Sequence, residues 1–169
     1  AFSLRAQGKL DFERTLVSYV DDLKDPQARK VTIRQVLSHS SGFPNWRFEE
    51  SKPLVPEFEP GSRWQYSGEG YFYLQRILET VSGKGICELI EDLVFQPLGM
   101  TSSSLIWRPE WLDRTALPHS RSGELRSNWD KRARGLHEFA AKKGQTVRGW
   151  KYSDYSGAAK ELGTGLLPN

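Results

Sequence analysis

Pro60-Gly61-Ser62-Arg63-Trp64-Gln65-Tyr66-Ser67-Gly68-Glu69-Gly70-Tyr71 carries a turn, a short extended segment and the start of a helix in one run. Pro60-Gly61 supplies the turn. Trp64 and Tyr66 then alternate with polar Arg63 and Gln65, and Ser67 has the side chain of a helix N-cap. Behind it Tyr71, Leu74, Leu78 and Val81 recur at helical spacing, and Gly83 closes the helix. This order places Tyr66 at the mouth of the helix, where free backbone N–H groups and the helix dipole favour negative charge. The position suits a phenol acting as a phenolate base. A free phenol titrates at about 10, so a tyrosine base needs such help, usually with a neighbouring cation.

Working toward the N-terminus, Val31-Thr32-Ile33-Arg34-Gln35-Val36-Leu37 predicts a short helix from Ile33. Thr32 and Gln35 form a capping box, and Val31 with Val36 a hydrophobic staple. Ser38-His39-Ser40-Ser41-Gly42-Phe43-Pro44 stops it, being rich in residues that bond to their own backbone. A loop of about twenty residues with Trp46, Phe48, Pro53, Pro56 and Phe58 leads on to Pro60, and loops of that length are often functional. Ala1 to Gly8 reads as the last turns of a helix with a glycine C-cap, so the natural start is expected upstream. Lys9 to Val20 reads as a turn and a short amphipathic segment, followed by a polar loop from Asp21 to Lys30.

On the other side Ile86, Leu89, Ile90, Leu93 and Val94 predict a third helix that runs to Pro97 and packs antiparallel beside its predecessor, both on the helix at Ile33. Cys87 is expected to be an inert buried thiol and Met100 a core residue. Beyond Trp107, Trp129, Ala133, Leu136 and Ala140 suggest a helix ended by Gly144, followed by short strands and turns.

The 169 residues are 37% hydrophobic and 27% charged, which fits one ordinary packed domain. No window approaches the roughly 18 apolar residues of a membrane span. A single cysteine excludes an intrachain disulfide, and three scattered histidines give no metal-ligand spacing, so neither metal nor cofactor is expected. The net charge of +3 is uneven: residues 1–100 hold 12 Lys/Arg against 14 Asp/Glu, and residues 101–169 hold 12 against 7.

Three features leave alternatives open. Tyr66 and Trp64 are either parts of a site or aromatic packing at a helix entry. His39 lies between Ser38 and Ser40, but adjacent turn residues seldom meet in the geometry of nucleophile activation. The basic stretch from Arg121 to Lys151, with Trp129 and Trp150, is either a solvated face or a surface for an anionic polymer.

Four segments in order move the balance: Gly8-Lys9-Leu10-Asp11, Thr32 to Pro44, Pro60 to Tyr71, and Val94-Phe95-Gln96-Pro97-Leu98-Gly99-Met100. Together they resemble the serine β-lactamase and penicillin-binding-protein-like family, in its class C, esterase and D-aminopeptidase branch, over about residues 1–107. The resemblance implies a mainly α fragment of an α+β fold: a helical portion whose central antiparallel sheet is largely missing. It implies one partial domain over residues 1–169, family-like to 107 and a basic extension from 108. It also places Tyr66 on the family's catalytic tyrosine and Gly68 where the Tyr-x-Asn motif has its substrate-binding asparagine. Glycine there offers only backbone and space, which favours an ester or small amide over a β-lactam. No Ser or Thr is followed by Lys at the third position, so the Ser-x-x-Lys nucleophile motif is absent from the sequence. The resemblance implies that it lies just upstream of Ala1. Gly163-Thr164-Gly165 is only faintly similar to the third motif, because Gly163 stands where lysine is required.

The functional expectation is therefore part of an acyl-enzyme hydrolase with a small ester, amide or peptide substrate and no nucleic acid. The alternative is a non-catalytic module whose basic last third binds an anionic polymer. A periplasmic or extracellular setting is implied by the resemblance alone. Self-association is expected through apolar faces exposed on the helices at 33, 68 and 86.

Overall fold

Helix α1 (Phe2–Ala6) ends as the first residues predict. The Gly8 amide donates to the Arg5 carbonyl and the Lys9 amide to the Leu4 carbonyl, both at 2.9 Å, while Gly8 takes φ +70°. That double bond across a left-handed glycine satisfies carbonyls that the helix end leaves free. The computed structural model describes residues 1–46, 52–105, 111, 114 and 119–125, with the backbone of 146–147 and 150–151. The chain divides into two compact units, the first Ala1–Ile86 and the second beginning at Cys87.

Within the first unit, two single 3-10 turns, Leu16–Ser18 and Ala28–Lys30, take up the amphipathic segment and the end of the polar loop. Helix α2 (Ile33–Leu37) carries the capping box in full: Thr32 Oγ1 accepts from the Gln35 amide, and Gln35 Oε1 from the Thr32 amide. Both orphan donors are thereby satisfied. Arg34 pairs with Glu13, whose carboxyl that partner holds below its usual value.

Helix α3 (Gly68–Ser82) is the central post of this unit and packs against α2. Ser67 caps it and Gly83, in the left-handed region, closes it, as the sequence predicts. The buried face is broader than the predicted stripe. Phe72, Tyr73, Leu74, Ile77 and Leu78 are buried, whereas Tyr71 is exposed and Val81 half-buried. Glu69, Gln75 and Glu79 are buried as well, so the helix is covered on most of its circumference. Gly42 holds the long loop close: at φ +78° its missing Cβ would lie 2.6 Å from the Phe58 carbonyl oxygen. Any side chain there would meet both a strained backbone and a collision.

Helix α4 (Ile86–Ile90) passes into one wider turn, Glu91–Phe95. Cys87 is buried, as expected, but Met100 is exposed and not a core residue. It comes after the left-handed Gly99 in a turn, which carries it off the helical spacing. The expected exposed apolar faces are not seen on the helices at 33 and 68: Ile33, Val36, Leu74 and Leu78 are buried. Exposed large apolar side chains lie instead mainly in connecting segments, among them Trp64, Tyr66 and Leu98. Among the described residues the regular elements are helical apart from one two-residue antiparallel hairpin, β1 (Thr146–Val147) with β2 (Trp150–Lys151), and isolated bridges. The predicted helix from Trp129 to Ala140 and Gly163-Thr164-Gly165 lie outside the described residues.

Glu79 ties α3 to Ile86, whose backbone amide donates to its carboxylate at 2.8 Å. Burial raises the Glu79 carboxyl above the ordinary 4.5, against the opposing hydrogen bonds from Ile86 and Gln75. The unfolded carboxyl ionises more easily, so stability is fully present below 4.5 and declines as pH rises through the folded value. Glu79→Gln keeps an acceptor for Ile86 and removes the charge. Urea midpoints measured at acid and neutral pH should show the variant gaining on the wild type as pH rises, and a pH-independent difference would contradict this account.

Candidate functional site

The N-terminal turn of α3 is bound to a segment more than twenty residues earlier. The Gly68 amide donates to Asn45 Oδ1 (3.1 Å), the Glu69 amide to the Asn45 carbonyl (2.9 Å), and the Gly70 amide to Ser67 Oγ (2.9 Å). Ser67 Oγ in turn donates to the Pro44 carbonyl at 2.9 Å. The free amides expected at this helix mouth are therefore used by the protein's own chain. Among the described residues, the helix dipole still favours negative charge at this mouth.

Tyr66 stands one residue before the cap, 55% exposed. Its ring lies on His39 with centroids 4.7 Å apart, and Tyr71 stacks on the same imidazole at 4.7 Å and 25°. Trp64 approaches His39 edge-on at 6.0 Å. Backbone bonds reinforce the stack. The Gln65 amide donates to the His39 carbonyl (2.7 Å), and the Ser67 amide to His39 Nδ1 (3.2 Å). Burial lowers the His39 pKa below 6.5. Arg63, the cation nearest in sequence, lies over the Phe58 ring.

His39 makes no catalytic pair with its neighbours, in keeping with the sequence. Ser38 and Ser40 hydroxyls meet each other at 2.9 Å, and Ser38 also donates to the Arg34 carbonyl. The space expected beside Gly68 is filled: a Cβ there would fall 2.6 Å from Cζ2 of Trp46 and 2.9 Å from the Asn45 carbonyl oxygen. Asn45 and Trp46, which sequence reasoning passed over as loop residues, are thus the parts that meet the helix. Their only sequence signal is position, directly after the turn residues Gly42-Phe43-Pro44. Among the described residues no cluster of His, Cys, Asp or Glu suits a metal ion. Most of the basic stretch from Arg121 to Lys151 lies outside the described residues.

A family model described as Beta-lactamase matches residues 2–162. The chain belongs to this family. Lovastatin esterase of Penicillium rubens is 34% identical over 113 residues, covering 52% of this chain and 28% of that protein. Penicillin-binding protein 4* of Bacillus subtilis is 32% identical over 109 residues, covering 51% and 24%. The chain spans about a quarter of the length of these two curated relatives. Among solved structures, a penicillin binding protein from Bacillus halodurans superposes with a TM-score of 0.58 at 28% identity, over 75% of this chain and 46% of that one. The beta-lactamase family fold and the kinship with serine hydrolases, an esterase among them, are thereby established.

The crowding at Gly68 gives a test of packing. Gly68→Asn must displace the Trp46 indole, and overpacking of this kind costs about 1–3 kcal/mol. Chemical denaturation should show that loss in the single variant and a smaller one when Trp46→Ala is added. Equal losses in both would show that the indole does not fill the site.

Proposed function

We propose that this chain supplies the tyrosine side of an acyl-enzyme serine hydrolase whose substrate is a small ester or amide. One observation carries the reading: Tyr66 is exposed and held at the mouth of α3, in a Tyr-Ser-Gly run that this reading equates with the family's Tyr-x-Asn motif. The Ser-x-x-Lys nucleophile belongs to chain outside residues 1–169, as does the central sheet. Tyr66 accepts the serine proton as the hydroxyl oxygen attacks the carbonyl, then returns it to the departing alkoxide or amine, leaving the acyl group on serine. Water attacks the acyl carbonyl in the second half. A base so placed contributes typically 10²–10⁴-fold.

Gly68 defines the substrate class. It offers no side-chain amide to a β-lactam or peptide, and the Trp46 ring beside it gives that edge of the site an apolar face. Esters with apolar acyl groups suit such a rim, and the kinship with an esterase supports this choice. Residues 1–107 carry the motifs this reading rests on, and residues 108–169 form a basic part in which the family match continues to residue 162.

Two measurements test it. The 169-residue chain alone should not turn over a chromogenic ester, while the chain with its native flanks should. In that longer protein Tyr66→Phe should lower kcat by about 10²–10⁴-fold with folding intact. Undiminished turnover in Tyr66→Phe, or brisk hydrolysis by the short chain, would refute the assignment.

A further inference from the structure

His39 is bonded to both peptide flanks of Tyr66. Its carbonyl accepts the amide before the tyrosine, from Gln65, and its Nδ1 accepts the amide after it, from Ser67. The imidazole face also carries the Tyr66 ring, with Tyr71 stacked 4.7 Å away on the same group. Tyr71 is itself anchored, donating from its hydroxyl to the Leu37 carbonyl at 3.2 Å. One residue thus fixes the backbone on either side of the tyrosine and one face of its ring. His39 does so at φ +53°, a conformation uncommon for a residue with a Cβ and tolerated where surroundings over-determine it.

We propose that His39 is the positioning residue of Tyr66, acting only as the neutral imidazole protonated on Nε2, so that protonation of Nδ1 releases the tyrosine from its place. This deepens the proposed hydrolase site and rests on Tyr66 being its base. The chemistry comes from the hydrogen-bond direction. An Nδ1 lone pair receives the Ser67 N–H, and a proton on Nδ1 would set two donors against each other. The Gln65 bond to the carbonyl survives, so the segment loosens on its Ser67 side.

Among the described residues no carboxylate forms an ion pair with the imidazole. Tyr66 and Tyr71 are the titratable side chains in ring contact with it. On neighbouring elements, Arg34 is engaged by Glu13, Arg63 by Phe58 and Glu57 by the Gln65 amide group, while Glu69 is buried within α3. Desolvation alone accounts for the lowered pKa of His39, in keeping with a site that disfavours the charged ring.

The test is an NMR titration of the 169-residue chain from pH 8 to pH 4, with 15N label and 13C-labelled tyrosine rings. At pH 8 the His39 ring nitrogens should report a proton on Nε2. The Ser67 amide and Tyr66 ring signals should then move with the same midpoint, below 6.5. His39→Gln, which retains an acceptor, should hold the Tyr66 signals pH-independent over that range. A proton found on Nδ1 at pH 8, or Tyr66 and Ser67 signals unmoved while His39 titrates, overturns the proposal without any variant having to fold. In the flank-extended protein, kcat/KM should fall about tenfold per unit below the His39 midpoint, and His39→Gln should flatten that limb. If Tyr66→Phe keeps full turnover, the base assignment fails while the NMR coupling can stand. If Tyr66→Phe abolishes turnover without NMR coupling, His39 alone is refuted.

Discussion

The fastening of residues 39–46 onto the first turn of α3 is the constraint on which the rest of the unit depends. A helix begins with amides that have no partner inside it, and leaving them unmet in a buried setting costs about 1–3 kcal/mol each. Asn45 and Ser67 meet the first three, and Ser67 Oγ works in both directions by also donating to Pro44. Because the donors and acceptors belong to distant parts of the chain, satisfying them fixes where the loop ends and where the helix starts. Tyr66 inherits its position from that junction. No element of the site is set by α3 alone.

The helix behind this junction is buried on most of its circumference, and that explains why a single apolar stripe describes it poorly. Phe72, Tyr73 and Ile77 lie off the predicted line, yet are as deeply placed as Leu74 and Leu78. Such a helix must also take polar groups inside. Glu79 does so with two donors, and its raised pKa records that hydrogen bonds offset burial only in part. Arg76, mostly shielded, pairs with Asp22 across the unit and lies over the Tyr73 ring. Phe72 and Tyr73 take the buried side of this post, whereas Tyr71 and Trp64 lie exposed at its edge.

The legible parts of the sequence were those in which a residue acts on its near neighbours. Thr32 with Gln35, Ser67 with Gly70, Gly8 and Gly83 are caps whose partners sit three to five positions away, so spacing alone determines them. Asn45, Trp46 and His39 act on residues 22 to 28 positions distant, and nothing in their immediate neighbourhood announces it. The reading of Ser38 to Pro44 as turn residues that bond to their own backbone did not show that His39 reaches the Ser67 amide. Free amides were expected at the helix mouth because a local view cannot see the loop that uses them. Space was expected beside Gly68 for the same reason.

Glycine at position 68 and tryptophan at position 46 are best understood as one feature. A side chain at 68 and the indole compete for one volume, since even a Cβ would come within 2.6 Å of the ring. The volume a side chain would take is occupied by a neighbour delivered from another segment, while the amides of the turn stay bonded to Asn45 and Ser67. On the proposed assignment of Tyr66 as base, that exchange sets an aromatic surface where the family's motif has an amide and leaves in place the His39 bond to the Ser67 amide that holds the tyrosine.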